Sequence, residues 1–278
     1  MAGQILGDRY KVEKQLGRQA GRWTLLATNI ETETPVILKM ISIDDDLHPD
    51  TVKLFEREVE ILRSLNHPSI PKHLDYFEID LPKQMKAMVL VQSYIEGVSV
   101  DKYLKKGRLF SEAEVQKVAR AILRILIYLH NNEPSIIHRD IKPSNILISS
   151  TSEENPSEQK SQIYLVDFGS VKRLASKPSN TTIMSLVGDE NYMAPELMSG
   201  RGLLTSDLYS LGMSLVNLLT GLPPSEFPRK NSKIDVAQFE SCSTAFGEWI
   251  QRMTELTVSS RYSSAQEALD VLKGLANA

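Results

Sequence analysis

The chain has 278 residues, 41% apolar and 24% charged, the mix of a folded globular protein and enough for one large domain or two lobes. Its 32 basic and 35 acidic residues give a net charge of −3, which excludes a chain-wide basic field for nucleic acid or anionic membrane. The single cysteine, Cys242, excludes an internal disulfide framework and any site of several cysteine ligands. The start, Met1-Ala2-Gly3-Gln4, lacks a basic-then-apolar signal pattern and charges interrupt every apolar run. The expected setting is the cytoplasm, with no membrane or nucleic acid among the partners and no membrane anchor or sensor domain attached.

In chain order, the first third reads as strands with one helix. Tyr10 to Leu16, Trp23 to Thr28, Pro35 to Ile41, Leu74 to Ile79 and Met85 to Gln92 are short and rich in β-branched or aromatic residues, with Gly17, Gly21 and residues 31–35 between them. Residues 50 to 66 carry a helical pattern. From Val98 the pattern turns helical. Ser111-Glu112-Ala113-Glu114 is a capping box that opens a run with Val115, Val118, Ala119, Ile122, Ile125, Leu126 and Leu129 on one face. Thr205 to Thr220 is a second apolar helix, ended by Gly221 and Pro223-Pro224, and a last helix is expected from Ser263 with Gln266 as its capping partner. Ser149 to Gln162, polar throughout, reads as an exposed hairpin loop between Ile146-Leu147-Ile148 and Ile163-Tyr164-Leu165-Val166. The fold class is therefore α+β, a small antiparallel β lobe with one helix at residues 8–92 and a larger, mainly helical lobe at 98–278, with a cleft between lobes as a common place for a small molecule.

Two charges stand where apolar residues belong. Lys39 interrupts Val36-Ile37-Leu38-Lys39-Met40-Ile41, and Glu58 falls on the Leu54, Ile61, Leu62, Leu65 stripe of the first helix. An unpaired buried charge costs several kcal/mol, so either the two face each other or each snorkels to water. A denser cluster runs from Ile136 to Leu147, with His138, Arg139, Asp140, Lys142 and Asn145 between apolar bookends, and Asp167-Phe168-Gly169 ends a later strand. Asp140 and Asp167 suit a base and a metal ligand, Asn145 offers a neutral oxygen for Mg²⁺, and Lys142 could neutralise a transferring group.

These residues resemble the signature set of the protein kinases, and the chain is similar to a bacterial-type serine/threonine kinase along nearly its whole length. The H-R-D-x-K-x-x-N match fixes five positions and would arise by chance in roughly one such chain in ten thousand. Asp167-Phe168-Gly169, Ala194-Pro195-Glu196, Asp207 and Arg261 follow in the family's order. The resemblance implies a bilobal fold forming one kinase domain over 1–278, with a hinge at 93–97. It implies Mg²⁺-dependent transfer of the ATP γ-phosphate to serine or threonine hydroxyls of a protein substrate.

By the same resemblance Lys39 holds the α- and β-phosphates, Glu58 is its helix partner, Asp140 is the catalytic base, and Lys142 marks serine/threonine specificity. Asn145 and Asp167 become Mg²⁺ ligands, and Glu196 with Arg261 anchors the activation segment. Gln92 is implied as gatekeeper, the Ser93 carbonyl and Ile95 amide as contacts to adenine, and Leu147 as a further nucleotide-binding residue. Arg139 before the base suggests control by phosphate on Thr181, Thr182 or Ser185.

The sequence also departs from the family. In the phosphate loop Gly17 stands at the first glycine, Gln19 at the second and Arg22 at the third, with Gly21 one place early. Side chains there hinder backbone approach to phosphate, and Arg22 or Arg18 could donate instead. Thr24 replaces a valine and Ile37 a small alanine over adenine, and Ile37 is expected to narrow the site. Asp189 stands where a threonine would bridge Asp140 and Lys142; its carboxylate is expected near Asp140, repelling it. These departures leave a pseudokinase, acting as a nucleotide-binding or scaffold module, as the alternative. Met184, Met193, Met198 and Trp249 read as packing, His67 as a helix-end residue, and Cys242 as an unactivated thiol.

Overall fold

The computed structural model describes every residue except 1, 20, 44–46, 82–84, 152–159, 175–188, 240–241 and 276–278. The chain divides into two compact units, Met1–Glu96 and Gly97–Ala278.

The first unit is one antiparallel sheet with one helix. Its elements are β1 (Ile5–Leu6), β2 (Tyr10–Gln19), β3 (Arg22–Asn29), β4 (Pro35–Ile43), α1 (Pro49–Ser64), β5 (His73–Asp80) and β6 (Lys86–Ser93). The strand order is β1-β2-β3-β4-β6-β5. Successive side chains along each strand point to opposite faces of the sheet. Tyr10, Val12, Leu25, Ala27, Val36, Leu38, Met40, Ala87, Val89 and Val91 form one buried cluster, with Trp23 and Phe77 packed against it. The sheet curls until β2 meets β5: the Tyr10 ring stacks on Phe77 at 5.7 Å and its hydroxyl donates to Asp75 Oδ2 at 3.0 Å. Helix α1 begins where His48 Nδ1 accepts the Asp50 amide and Pro49 takes the first turn, where its missing N–H leaves no bond unmade.

The second unit is mainly helical. It holds β7 (Val98–Ser99), α2 (Val100–Lys105), α3 (Glu112–His130), β8 (Ile136–Ile137), β9 (Ile146–Thr151), β10 (Lys160–Leu165), β11 (Lys172–Arg173) and α4 (Pro195–Met198). After these come α5 (Leu204–Thr220), β12 (Arg229–Lys230), β13 (Lys233–Ile234), α6 (Thr244–Met253) and α7 (Ala265–Leu275). The Ser111 capping box is present in both directions, Ser111 Oγ accepting from the Glu114 amide and Glu114 accepting from the Ser111 amide. Helix α5 is buried on all sides from Thr205 to Leu219; its polar Ser210 and Ser214 donate back to carbonyls one turn earlier. Trp249 is buried and donates to the Ala268 carbonyl, tying α6 to α7. No helix among the described residues is long and apolar enough to cross a membrane.

Three expectations need correction. The last helix starts at Ala265 rather than Ser263: Ser264 Oγ accepts the Glu267 amide, Glu267 reaches back to the Ser263 amide, and Gln266 instead bonds Asp270 one turn on. The polar stretch from Ser149 is not all loop. Strands β9 and β10 run on to Thr151 and from Lys160, because ladder bonds belong to the backbone and do not require apolar side chains. Met198 is 46% exposed on its short helix and does not pack. Helix α2 and the two-residue β1 are too short to be read from the chain, whereas α6 carries Phe246, Trp249, Ile250 and Met253 at helical spacing and stands outside the elements expected above.

Candidate functional site

In the first unit, strand register decides which loop residues can act with Lys39. Thr24 pairs directly with Lys39, Arg22 with Ile41 and Leu26 with Ile37, so Arg22, Thr24, Ile37 and Lys39 share one face. Gly17 is opposite Thr24 and shares it too. Arg18 pairs with Trp23 on the other face, its guanidinium 5.7 Å from the indole centroid. Of the two arginines considered for phosphate, the register leaves Arg22 beside Lys39 and removes Arg18. The Lys39 ammonium donates to Glu58 Oε1, strand β4 to helix α1, with the two side chains only 13% and 5% exposed. The misplaced charges thus meet each other.

Gly17 bears on whether this face suits a nucleotide. Its φ is not left-handed, and a Cβ built there would approach Thr24 no closer than 3.8 Å, an ordinary contact. Neither backbone nor packing demands glycine, and the bare main chain fits close approach by a phosphate. Gly21, at φ +67, turns the chain into β3. Gln92, buried on β6, pairs with Ile37. The Ser93 amide and hydroxyl are taken by Lys72, at 2.9 Å each, and Ile95 lies two residues past the strand end, half-buried.

In the second unit, a hairpin and one buried carboxylate build the other half of the candidate set. Leu165 is the register partner of Ile146, and the Val166 amide extends the ladder to the Asn145 carbonyl at 2.9 Å. The ladder therefore brings Asn145 and Asp167 to the same end of β9 and β10, with Leu147 half-buried on β9 between Ser99 and Tyr164. Asp207 of α5 is completely buried. It accepts the His138 and Arg139 amides at 2.9 and 2.8 Å and His130 Nε2 at 3.1 Å. Burial works against its ionisation, but the His130 bond, the nearby histidines and the Arg139 amide outweigh that and hold the carboxyl below its ordinary value. Arg139 on this stretch is left-handed, at φ +68, and so is Asp167 in the other loop, at φ +66. The His138 ring meets Phe168 edge-on at 4.9 Å, linking the loop of Asp140 to that of Asp167.

Asp140 stands inside this frame, held by three groups. Lys142 Nζ lies 3.1 Å from Oδ1, the Asp189 amide donates to Oδ1 at 3.1 Å, and Asn145 Nδ2 donates to Oδ2 at 2.9 Å. Asn145 Nδ2 also donates to the Asp140 carbonyl at 2.8 Å, which fixes the amide and leaves its oxygen as the ligating end. Asp167 and Asn145 together offer hard oxygen donors, the set Mg²⁺ takes alongside phosphate. The described residues hold no group of three or more histidine, cysteine or acidic side chains placed for a metal of its own.

The feared Asp189 side chain behaves differently from expectation. Its Oδ1 accepts the Asn191 amide at 3.1 Å and Asn191 Nδ2 at 2.9 Å, and Lys142 pairs with Asp140. The carboxylate is occupied by its own turn. Glu196 meets Arg261 through two bonds of 2.6 and 2.9 Å, with Ser206 Oγ donating to the same carboxylate. Thr181, Thr182, Ser185 and Met184 lie outside the described residues. Cys242 has its thiol pushed up to about 11 by burial and by Glu112, so it stays protonated and unreactive. His130, Asn191 and Ser206 were missed in the sequence. Only Asn191 left a signal, the Asp-x-Asn spacing of a turn.

Against known proteins, residues 10–278 match the family model described as protein kinase domain. Serine/threonine-protein kinase B of Synechocystis sp. is 35% identical over 283 residues, covering 96% of this chain and 47% of that protein. PknA of Nostoc sp. is 30% identical over 284 residues, 97% of this chain and 48% of that protein. PrkC of Bacillus subtilis is 31% identical over 229 residues, 81% of this chain and 32% of that protein. The chain spans about half the length of the cyanobacterial relatives it matches.

Proposed function

The chain belongs to the protein kinase family, and on that premise we propose that it transfers the γ-phosphoryl group of ATP to serine or threonine hydroxyls of protein substrates in the cytoplasm. The observation that carries this reading is the state of Asp140. A carboxylate has about four acceptor positions, and three are taken by Lys142, Asn145 and the Asp189 amide. Among the described residues no other group bonds to it, which leaves one lone pair to accept a proton, on a group held in one orientation.

In the proposed reaction the substrate oxygen forms a bond to the γ-phosphorus and the bond from that phosphorus to the bridging oxygen breaks. Asp140 accepts the hydroxyl proton, and ADP leaves with the electron pair. Lys142 offsets charge on the transferring group, while Lys39, held by Glu58, and Arg22 take the phosphates. Asp167 and the Asn145 oxygen are the residues that would hold Mg²⁺, which would neutralise charge on the β- and γ-phosphates. Gln92, Ser93 and Ile95 are assigned to adenine by the resemblance, with Thr24 and Ile37 packing on the ring and Gly17 and Gly21 shaping the phosphate loop.

The test is labelled ATP with Mg²⁺ and casein or myelin basic protein, beside Asp167→Ala. Labelling by the natural chain that disappears in the variant supports the kinase reading. Equal, background-level labelling in both overturns it in favour of a binding module.

A further inference from the structure

Asp189 has two jobs available to it, and the hydrogen bonds separate them. Its carboxylate accepts from Asn191 twice, through the backbone amide and through Nδ2, closing a turn of the Asx kind. The Tyr192 amide donates to the Asp189 carbonyl at 3.0 Å, so the same four residues also close a backbone turn. The turn is tethered at its far end: the Tyr192 hydroxyl donates to Asn217 Oδ1 at 3.0 Å on buried α5, and Asn217 Nδ2 donates to the Leu222 carbonyl. At its near end the Asp189 N–H points to Asp140 Oδ1.

We propose that Asp189 and Asn191 are positioning residues. Their turn aims a main-chain N–H at the base, and the acidic side chain serves the turn through its oxygen rather than through its charge. Two N–H donors engage the Asp189 oxygen within its own turn. The inference rests on the kinase reading for its kinetic consequence, though not for its geometry.

The proposal separates shape from charge. Asparagine at 189 keeps an oxygen in the accepting place and loses the charge; alanine loses both. Three full-length proteins are compared: the natural chain, Asp189→Asn and Asp189→Ala. Steady-state phosphorylation of casein, thermal melting and hydrogen exchange at the residue-189 amide are measured on each. Alanine is expected to lower kcat by about 10- to 100-fold, as for a misplaced catalytic group, with KM for ATP within about twofold and an unchanged melting temperature. Asparagine is expected to restore kcat to within about threefold of the natural chain, because the turn re-forms. Exchange of the amide should quicken at least about tenfold in the alanine protein only.

An asparagine protein as slow as the alanine one overturns the proposal, since charge would then be what matters. So does an alanine protein with full kcat, or one whose loss follows its melting temperature. If the natural chain phosphorylates nothing, the kinase reading fails by itself. The exchange measurement then still decides the turn: equal exchange in the natural and alanine proteins overturns it.

Discussion

The two units keep buried charge in different ways. In the first, a side chain on a strand meets a side chain on a helix 19 residues away, Lys39 with Glu58. In the second, main-chain N–H groups join side chains around two of the carboxylates, Asp207 with two amides and His130 and Asp140 with the Asp189 amide, Lys142 and Asn145, while Glu196 is met by the side chains of Arg261 and Ser206. A side-chain pair can part when its helix shifts, and the rest of the fold survives. An amide-held carboxylate can part only if the loop itself unfolds. The first arrangement ties a strand to a helix, and the second ties a carboxylate to the path of a loop.

The sharpest way to break this contrast is Asp207→Ala. It strips the acceptor from two amides and His130 in a fully buried place, and should cost about 3–5 kcal/mol in urea unfolding. Phosphorylation should fall even where the variant stays folded, because the left-handed backbone at Arg139 loses its anchor. A midpoint unchanged from the natural chain would show that the amides find other partners.

Lys39→Met comes next. It leaves the Glu58 carboxylate buried and should cost about 2–3 kcal/mol, less than at Asp207 because the partly exposed lysine site admits water. Glu58→Gln, which keeps an acceptor, should cost only about 1 kcal/mol. If these two variants unfold at the same urea concentration, the pair is not a buried one in solution. Ser111→Ala gives the scale of a solvent-exposed side-chain-to-amide bond, about 1 kcal/mol by the same measurement.

The smallest effects are pH slopes. Burial opposes ionisation of Glu196, but the bonds from Arg261 and Ser206 prevail and its carboxyl lies below the ordinary range, as does that of Asp207. In acid the unfolded chain therefore binds more protons, and the stability these carboxylates contribute above about pH 4 is lost as pH falls through their folded values. Glu196→Gln should flatten that acid limb. At the other extreme, burial first, then Asp189 and Asp101, push the Tyr192 hydroxyl up to about 12. An unfolded tyrosine releases its proton near about pH 10, so stability falls as pH rises from there to the folded value, and Tyr192→Phe should remove that part of the slope.

Much of the fold was legible because its signals are local. Short runs rich in β-branched and aromatic residues marked five strands of the first unit, and Ser111 with Glu114 marked the start of α3. Lys39 and Glu58 betrayed themselves by breaking apolar patterns, so even their meeting could be weighed from the chain. Arg18 and Arg22 could not be told apart, because one residue of register in the β2–β3 hairpin decides which face each takes. The start of α7 is ambiguous in the chain for a similar reason: Ser263 and Ser264 offer the same chemistry, and the fold uses Ser264 Oγ to accept the Glu267 amide while Ser263 donates to the Glu267 carboxylate.

The residue sequence by itself determined the α+β order of elements and singled out the residues proposed for phosphate, metal and proton, since spacing and residue type are properties of the chain. Tertiary structure alone decided that a carboxylate at 189 turns into its own loop while its amide faces Asp140, and that His130 joins Asp207 across 77 residues. Such choices depend on which donor is nearest once water is excluded. Distance between residues far apart in the chain exists only after folding.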